Sequence, residues 1–151
     1  MTPLTAFDAD VLIYAAAADH ELGSRVAALF ADPDEAGVAG TGSVLLLPEV
    51  LAKPMRDDPE SEEVAGLLGL LSRLELRALD EATGRLALAL AVRHGLRAAD
   101  AAHLATAVAA GADRFLTNNR KDFPQTITEI DVVYPDDLPS VGGPIGSPRQ
   151  G

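Results

Sequence analysis

The chain has 151 residues, 48% of them hydrophobic and 4% aromatic, with no cysteine and a formal net charge of −11. That length suits one domain with an aliphatic core, and the missing cysteines exclude a disulfide framework, a thiolate zinc site and a thiol nucleophile. The acid excess argues against indiscriminate binding to nucleic acid, which depends on neutralising phosphates.

No apolar run reaches the ~18 residues of a membrane span, and no basic-then-apolar leader opens the sequence. The cytoplasm is therefore the expected compartment, with no membrane partner.

In chain order, the apolar run before Asp8 predicts a strand over residues 3–8 and a helix over about 10–18. Leu22, Val26, Leu29 and Phe30 recur at helical spacing through Glu21–Ala31, and Asp32-Pro33-Asp34 stops that helix. Ala36–Ala39 reads as a second strand and Gly40-Thr41-Gly42-Ser43 as a turn that caps the next element. Val44–Met55 is ambiguous, because Pro48 is comfortable only in a first helical turn. A helix either begins near Pro48 or runs from Ser43 with a kink, and Pro54 helps to end it. Glu49 falls near a helix start in both cases.

Val64–Leu74 reads as a helix and Leu74–Leu79 as a strand. Glu81–His94 is an amphipathic helix closed by Gly95. Residues 99–110 form a further Ala-rich helix with Gly111 beyond its end, followed by a strand over 114–117. Ile127–Val133 is the last strand. Strands alternating with helices predict an α/β fold in which a mostly parallel sheet carries helices on both faces. From Pro135 on, eight of 17 residues are Gly or Pro without periodicity. This divides the chain into a domain over 1–134 and a flexible tail over 135–151.

The plentiful reactive groups are carboxylates. Asp8 stands at a strand exit, while Glu49 and Asp100 stand at or near helix starts. In a parallel sheet those positions share one edge, the edge where such folds place their chemistry. Capping of helix N–H groups explains any one of these acids. Three on one edge repel one another unless protons or cations intervene, and an oxygen-only cluster suits Mg²⁺ or Mn²⁺. Lys53 and Arg56 follow Glu49, Arg93 and Arg97 precede Asp100, and Arg120 and Lys121 follow Asn119, each within seven positions. An acidic nest rimmed by cations is what phosphodiester cleavage needs. An i,i+4 pair of Glu49 with Lys53 is the bland alternative. His103 reads as packed or hydrogen-bonded rather than catalytic. No Gly-x-Ser-x-Gly elbow, Walker loop or dinucleotide glycine pattern is present.

The segments FDADVLIY, LLPEVLAKPMR and AADAAHLATAVAAGADRFLTNNRKDF, in that order, resemble the PIN domain family over about residues 4 to 133. The closest likeness is to the VapC-type ribonuclease toxins of toxin–antitoxin pairs. The resemblance implies a three-layer α/β/α sandwich and a Mg²⁺- or Mn²⁺-dependent endoribonuclease acting on RNA. It also implies a homodimer and a cognate antitoxin that blocks the site. Asp8, Glu49 and Asp100 correspond to the family's metal-binding acids, Thr117 to a small hydroxyl residue after the fourth strand, and Asn119 to the position of a fourth acid. Arg97, Arg120 and Lys121 are candidate RNA-phosphate contacts.

Two positions depart from the family pattern: Asp10 stands where Asn or Ser is common, and Asn119 bears no charge, which leaves Asp122 as a substitute. Phe7-Asp8-Ala9-Asp10-Val11 also resembles the opening of haloacid-dehalogenase-type phosphatases. There Asp8 would be the nucleophile and Asp10 the acid/base, and a late acid pair is needed; Asp136-Asp137 is the only candidate. The third reading is a catalytically weakened PIN-like domain that acts by binding a partner.

Overall fold

Thr5-Ala6-Phe7 forms β1, the middle strand of a five-stranded sheet ordered β3-β2-β1-β4-β5. The other strands are β2 (Gly40–Ser43), β3 (Leu74–Arg77), β4 (Arg114–Leu116) and β5 (Asp131–Val133). Every pairing is parallel, with Ala6 opposite Thr41 on one side and Phe115 on the other. The computed structural model describes residues 2–17, 20–31 and 37–140. Among them are six α-helices: α1 (Ala9–Ala16), α2 (Glu21–Ala27), α3 (Leu46–Asp57), α4 (Glu62–Leu71), α5 (Glu81–His94) and α6 (Ala98–Ala109).

The layering follows from the period-two alternation of the strands. Ala6, Phe115 and Val132 face one way and join Leu90 of α5 and Leu104 of α6 in one buried cluster. Their neighbours Phe7 and Leu116 face the other way and join Leu12, Val26, Val50 and Leu67 of α1, α2, α3 and α4 in a second. The fold is thus the expected three-layer α/β/α sandwich. Helix α6 is buried along Ala101–Ala107, because its small alanines let the sheet and α5 approach closely.

The helix ends are specified locally. The Asp80 carboxylate accepts the Thr83 N–H at 2.8 Å to open α5. Gly95, at φ 67°, closes it in the left-handed region that favours glycine. Ser61 opens α4 through the Val64 N–H.

Three expectations change. The second strand is Gly40–Ser43, the segment that composition marks as a turn, and Ala36 of the expected strand lies outside the described residues. A Cβ on Gly40 would stand 2.5 Å from the Thr5 carbonyl oxygen and from the Phe7 ring, so only glycine lets β2 lie against β1 there. Helix α3 starts at Leu46, places Pro48 in its first turn and continues through Pro54 to Asp57. The last strand shrinks to Asp131–Val133.

Beyond Tyr134 the chain makes a 3₁₀ turn over Pro135–Asp137, with Pro135 and Leu138 buried. Arg25 donates to the carbonyls of Asp136 and Leu138 at 3.1 and 3.2 Å. The packed chain therefore runs past the expected boundary to Leu138, and residues 141–151 of the expected tail lie outside the described residues. Among the described residues, no helix is long and apolar enough to cross a membrane.

Candidate active site

Because all strands run in parallel, β1, β2 and β4 deliver their exits to one edge. Asp8 leaves β1 and caps α1, its Oδ1 accepting the Ala9 N–H at 2.8 Å. Its Oδ2 accepts the Thr117 hydroxyl at 2.7 Å from the exit of β4. Asp8 is only 6% exposed and Thr117 is fully buried, so this hydrogen bond ties the two exits together away from water. Asp10 follows in the first turn of α1, where its carboxylate accepts the Asn118 N–H at 3.1 Å. Glu49 arrives from the first turn of α3, and its Oε1 lies 2.6 Å from Nε2 of His103 on α6.

Asp100 differs from the other acids. It stands in the first turn of α6, whose N-cap Arg97 makes no side-chain capping bond. The Asp100 carboxylate itself has no hydrogen bond or ion pair among the described residues. Capping, the bland explanation for an acid at a helix start, does not apply to it.

Electrostatics join these groups. Burial pushes the Asp8 carboxyl above its ordinary range, attraction to His103 and the Thr117 and Ala9 bonds oppose that, and Glu49 adds to it. Asp10 is pushed up to about 7, first by burial and then by the charge of Asp8, with a further contribution from Asp100. Asp100 is raised by burial, then by Asp8 and Asp122, with Glu49 adding and His103 opposing. Asp8, Asp10 and Asp100 each feel the charge of at least one other acid, as expected of carboxylates sharing a partly dehydrated site.

The β4 exit loop is internally bonded. The Asn119 N–H donates to Thr117 Oγ1 at 3.0 Å and the Asn119 amide donates to Asp122 Oδ2 at 3.0 Å. Asp122 thus sits beside the position where a fourth acid was expected, and its charge reaches Asp100. Of the three cations expected at phosphates, Arg97 and Lys121 make no ion pair among the described residues. Arg120 is committed to Asp136 at 2.6 Å and lies over the Tyr134 ring at 4.4 Å.

The geometry brings together Asp8, Asp100, Thr117 and Asn119, and it adds two groups that sequence reasoning left aside. In the nuclease reading of the sequence Asp10 is a departure from the family pattern, and only the phosphatase alternative gives it a role, yet it lies beside Asp8 and Asp100; its position two residues after a strand-exit acid is the signal. His103 shares a helix face with Asp100 at i,i+3 spacing, but its contact with Glu49 spans 54 positions and has no sequence signal.

Among the described residues, no three carboxylate or imidazole side chains converge closely enough to hold a cation between them. The acids are donors gathered on an edge rather than a closed ligand shell. Their chemistry nonetheless fits a hard divalent cation: the donors are oxygen, and mutual repulsion raises their affinity for any positive charge. The phosphatase arrangement fares worse. Asp136 is paired with Arg120, and Asp137 accepts from the Tyr134 N–H and the Gln125 amide. Both oxygens of the would-be nucleophile Asp8 are already accepting hydrogen bonds.

The PIN domain family matches residues 6–127. No curated protein matches the chain. Among solved structures, a toxin–antitoxin complex from Klebsiella pneumoniae is similar at 24% identity and a TM-score of 0.66, covering 87% of this chain and 97% of that one. VapBC2 from Rickettsia felis bound to a DNA fragment from their promoter is similar at 18% identity and a TM-score of 0.66, covering 87% of this chain and 98% of that one. At these identities the likeness concerns the fold. With the family match spanning most of the sequence, the chain belongs to the PIN domain family.

Proposed function

We propose that the chain is a Mg²⁺- or Mn²⁺-dependent endoribonuclease and the toxin of a toxin–antitoxin pair. Asp8, Glu49 and Asp100 would hold the cation. The observation that carries this reading is the Asp100 carboxylate: partly buried, raised by Asp8 and Asp122, and free of any capping or ion-pair role among the described residues. A partly buried acid facing other acids is costly unless a proton or a cation neutralises it, and oxygen donors suit a hard cation. When bound, such a cation supplies Lewis acidity at a phosphodiester and compensates the cluster's charge.

The chain's own residues do the rest. The Thr117 hydroxyl holds the Asp8 carboxylate in one orientation, and the neutral Asn119 amide orients polar groups at the rim without adding charge. Arg97 and Lys121 are available to hold phosphates flanking the cut, whereas Arg120 has to leave Asp136 to join them. One cavity is lined by Glu75, Arg77, Thr83 and Thr106 among others, and by none of the site acids. The exposed Glu49 carboxylate puts the acid set within reach of a chain-like substrate laid along the edge. An antitoxin protein and a second copy of the chain are the proposed partners, in the cytoplasm. The two similar structures, both of toxin–antitoxin assemblies, support the first of these.

The test is an assay of partner-free protein on RNA, DNA and a phosphate monoester, with and without Mn²⁺, beside Asp100→Asn. RNA cleavage that needs Mn²⁺ and is lost in the variant supports the proposal. Monoester hydrolysis dependent on Asp10 supports the phosphatase instead, and no hydrolysis of any substrate leaves a binding domain.

A further inference from the structure

We propose that His103 is a positioning residue that fixes the Glu49 carboxylate in the acid cluster. This rests on the nuclease reading above and assigns a role to a side chain outside its acid set. The His103 ring is 2% exposed and sits within the buried stretch Ala101–Ala107, so it has no room to swing. Glu49 is the opposite case, a glutamate on the first turn of α3 with 37% of its side chain exposed. A glutamate so placed on a helix surface samples several rotamers. Its one fixed contact among the described residues is the 2.6 Å bond to His103 Nε2. An ionised carboxylate only accepts, so the proton of that bond belongs to Nε2.

The placement couples the acids. His103 lies one turn after Asp100 on α6, so the helix that carries Asp100 also sets where Glu49 stands, across 54 positions of sequence. The other end of the ring supports the same conclusion. Nδ1 is buried with no hydrogen-bond partner among the described residues. An unpartnered buried nitrogen is a cost that leucine would avoid if the position served packing alone. The polar ring is accounted for by the contact at its far end. Ligand-orienting partners of this kind typically govern metal affinity by about 10–100-fold.

The full chain tests this in three forms, wild type, His103→Gln and His103→Asn, with Mn²⁺ affinity read by titration calorimetry and by the EPR signal of free Mn²⁺. Glutamine carries its amide nitrogen where imidazole carries Nε2 and still reaches Glu49. Asparagine ends near the Nδ1 position and does not. Both bury an amide in the same place, so a packing effect falls on both. The expected result is near-wild-type affinity for His103→Gln and a loss of about 10–100-fold for His103→Asn. For His103→Asn, kcat for RNA cleavage falls while KM for RNA is unchanged. Circular dichroism checks folding, and His103→Leu takes the place of His103→Asn if that variant unfolds, with the same expected loss. Equal affinity in all forms, or equal loss in the glutamine and non-reaching variants, overturns the assignment. A wild type that binds Mn²⁺ and cuts RNA alongside indistinguishable variants overturns the role of His103 alone. A wild type that does neither overturns the nuclease reading itself.

Discussion

Asp10 bears directly on how the metal-free protein responds to pH. Its carboxyl is raised from an ordinary 3.8 to about 7 by burial and by Asp8. The folded state therefore binds its proton more tightly than the unfolded state does. By linkage, Asp10 contributes stability that is fully present below pH about 4 and lost as pH rises towards 7. Asp8 and Asp100, raised in the same direction, add to the trend. Urea denaturation of metal-free protein is expected to show stability falling across that window and a flatter profile for Asp10→Asn, which overtakes wild type at pH 8. A wild-type profile that rises from pH 4 to pH 7 contradicts the assignment.

Thr117→Val is isosteric and removes the hydroxyl that Asp8 Oδ2 accepts from. It is expected to cost about 1–3 kcal/mol, measured as a shift in urea midpoint at unchanged slope. At this scale the sequence was informative wherever a residue's role follows from its place at an element's end. Asp8, Asp100 and Thr117 stand where strand exits and helix starts put them. The Glu49–His103 contact was not legible, because it depends on how α3 and α6 dock across the sheet. The freedom of Asp100 from capping was not legible either, since the chain around it reads as a capped helix start.

Among the elements, α5 is the clearest in the sequence: its amphipathic run begins after Asp80 and ends at a left-handed glycine. The least legible is β2, whose Gly-Thr-Gly-Ser carries the composition of a turn. Local propensity loses there because tertiary contact decides. At Gly40 the crowding atoms are a backbone carbonyl and the Phe7 ring, whereas at Gly42 the nearest is a methyl of Leu46. Gly40→Ala is therefore expected to destabilise by about 1–3 kcal/mol and Gly42→Ala by less, since a side-chain tip yields more readily than backbone. Denaturant melts of the two variants compare them directly, and an equal or reversed order counts against the packing explanation. Because β2 leads into α3, the Gly40 variant is also expected to disturb Glu49. The expected strand over Ile127–Val133 shrank for a related reason: Ile127 and Ile130 fill the core from a loop rather than from the sheet, and burial alone does not distinguish the two.

Across the whole molecule, a net charge of −11 means that the proposed RNA substrate would have to be held by local cations against a repulsive background. Arg97→Ala and Lys121→Ala are each expected to weaken RNA binding and to reduce its dependence on salt, measured with catalytically silent Asp100→Asn as the background. Arg120→Ala acts through the loss of Asp136 and Tyr134 contacts and is expected to change the salt dependence less. The three-layer architecture was readable because alternating strands and helices admit few other arrangements. That the acids stay an open set rather than closing into a ligand shell, among the described residues, was not readable, because it depends on side-chain placement.

The central claim is that Asp8, Glu49 and Asp100 on the sheet edge are the ligands of a divalent cation, Asp8 and Asp100 being acids that burial raises. Such acids have to give up protons to bind it. Calorimetric titration of the metal-free protein with Mn²⁺ at pH 6, in buffers of different ionisation enthalpy, measures that release. The account predicts binding accompanied by net proton release that is smaller at pH 8 than at pH 6 and is diminished in Asp10→Asn, which removes the carboxyl raised to about 7 beside Asp8. Mn²⁺ binding without proton release at pH 6, or no binding, would contradict it.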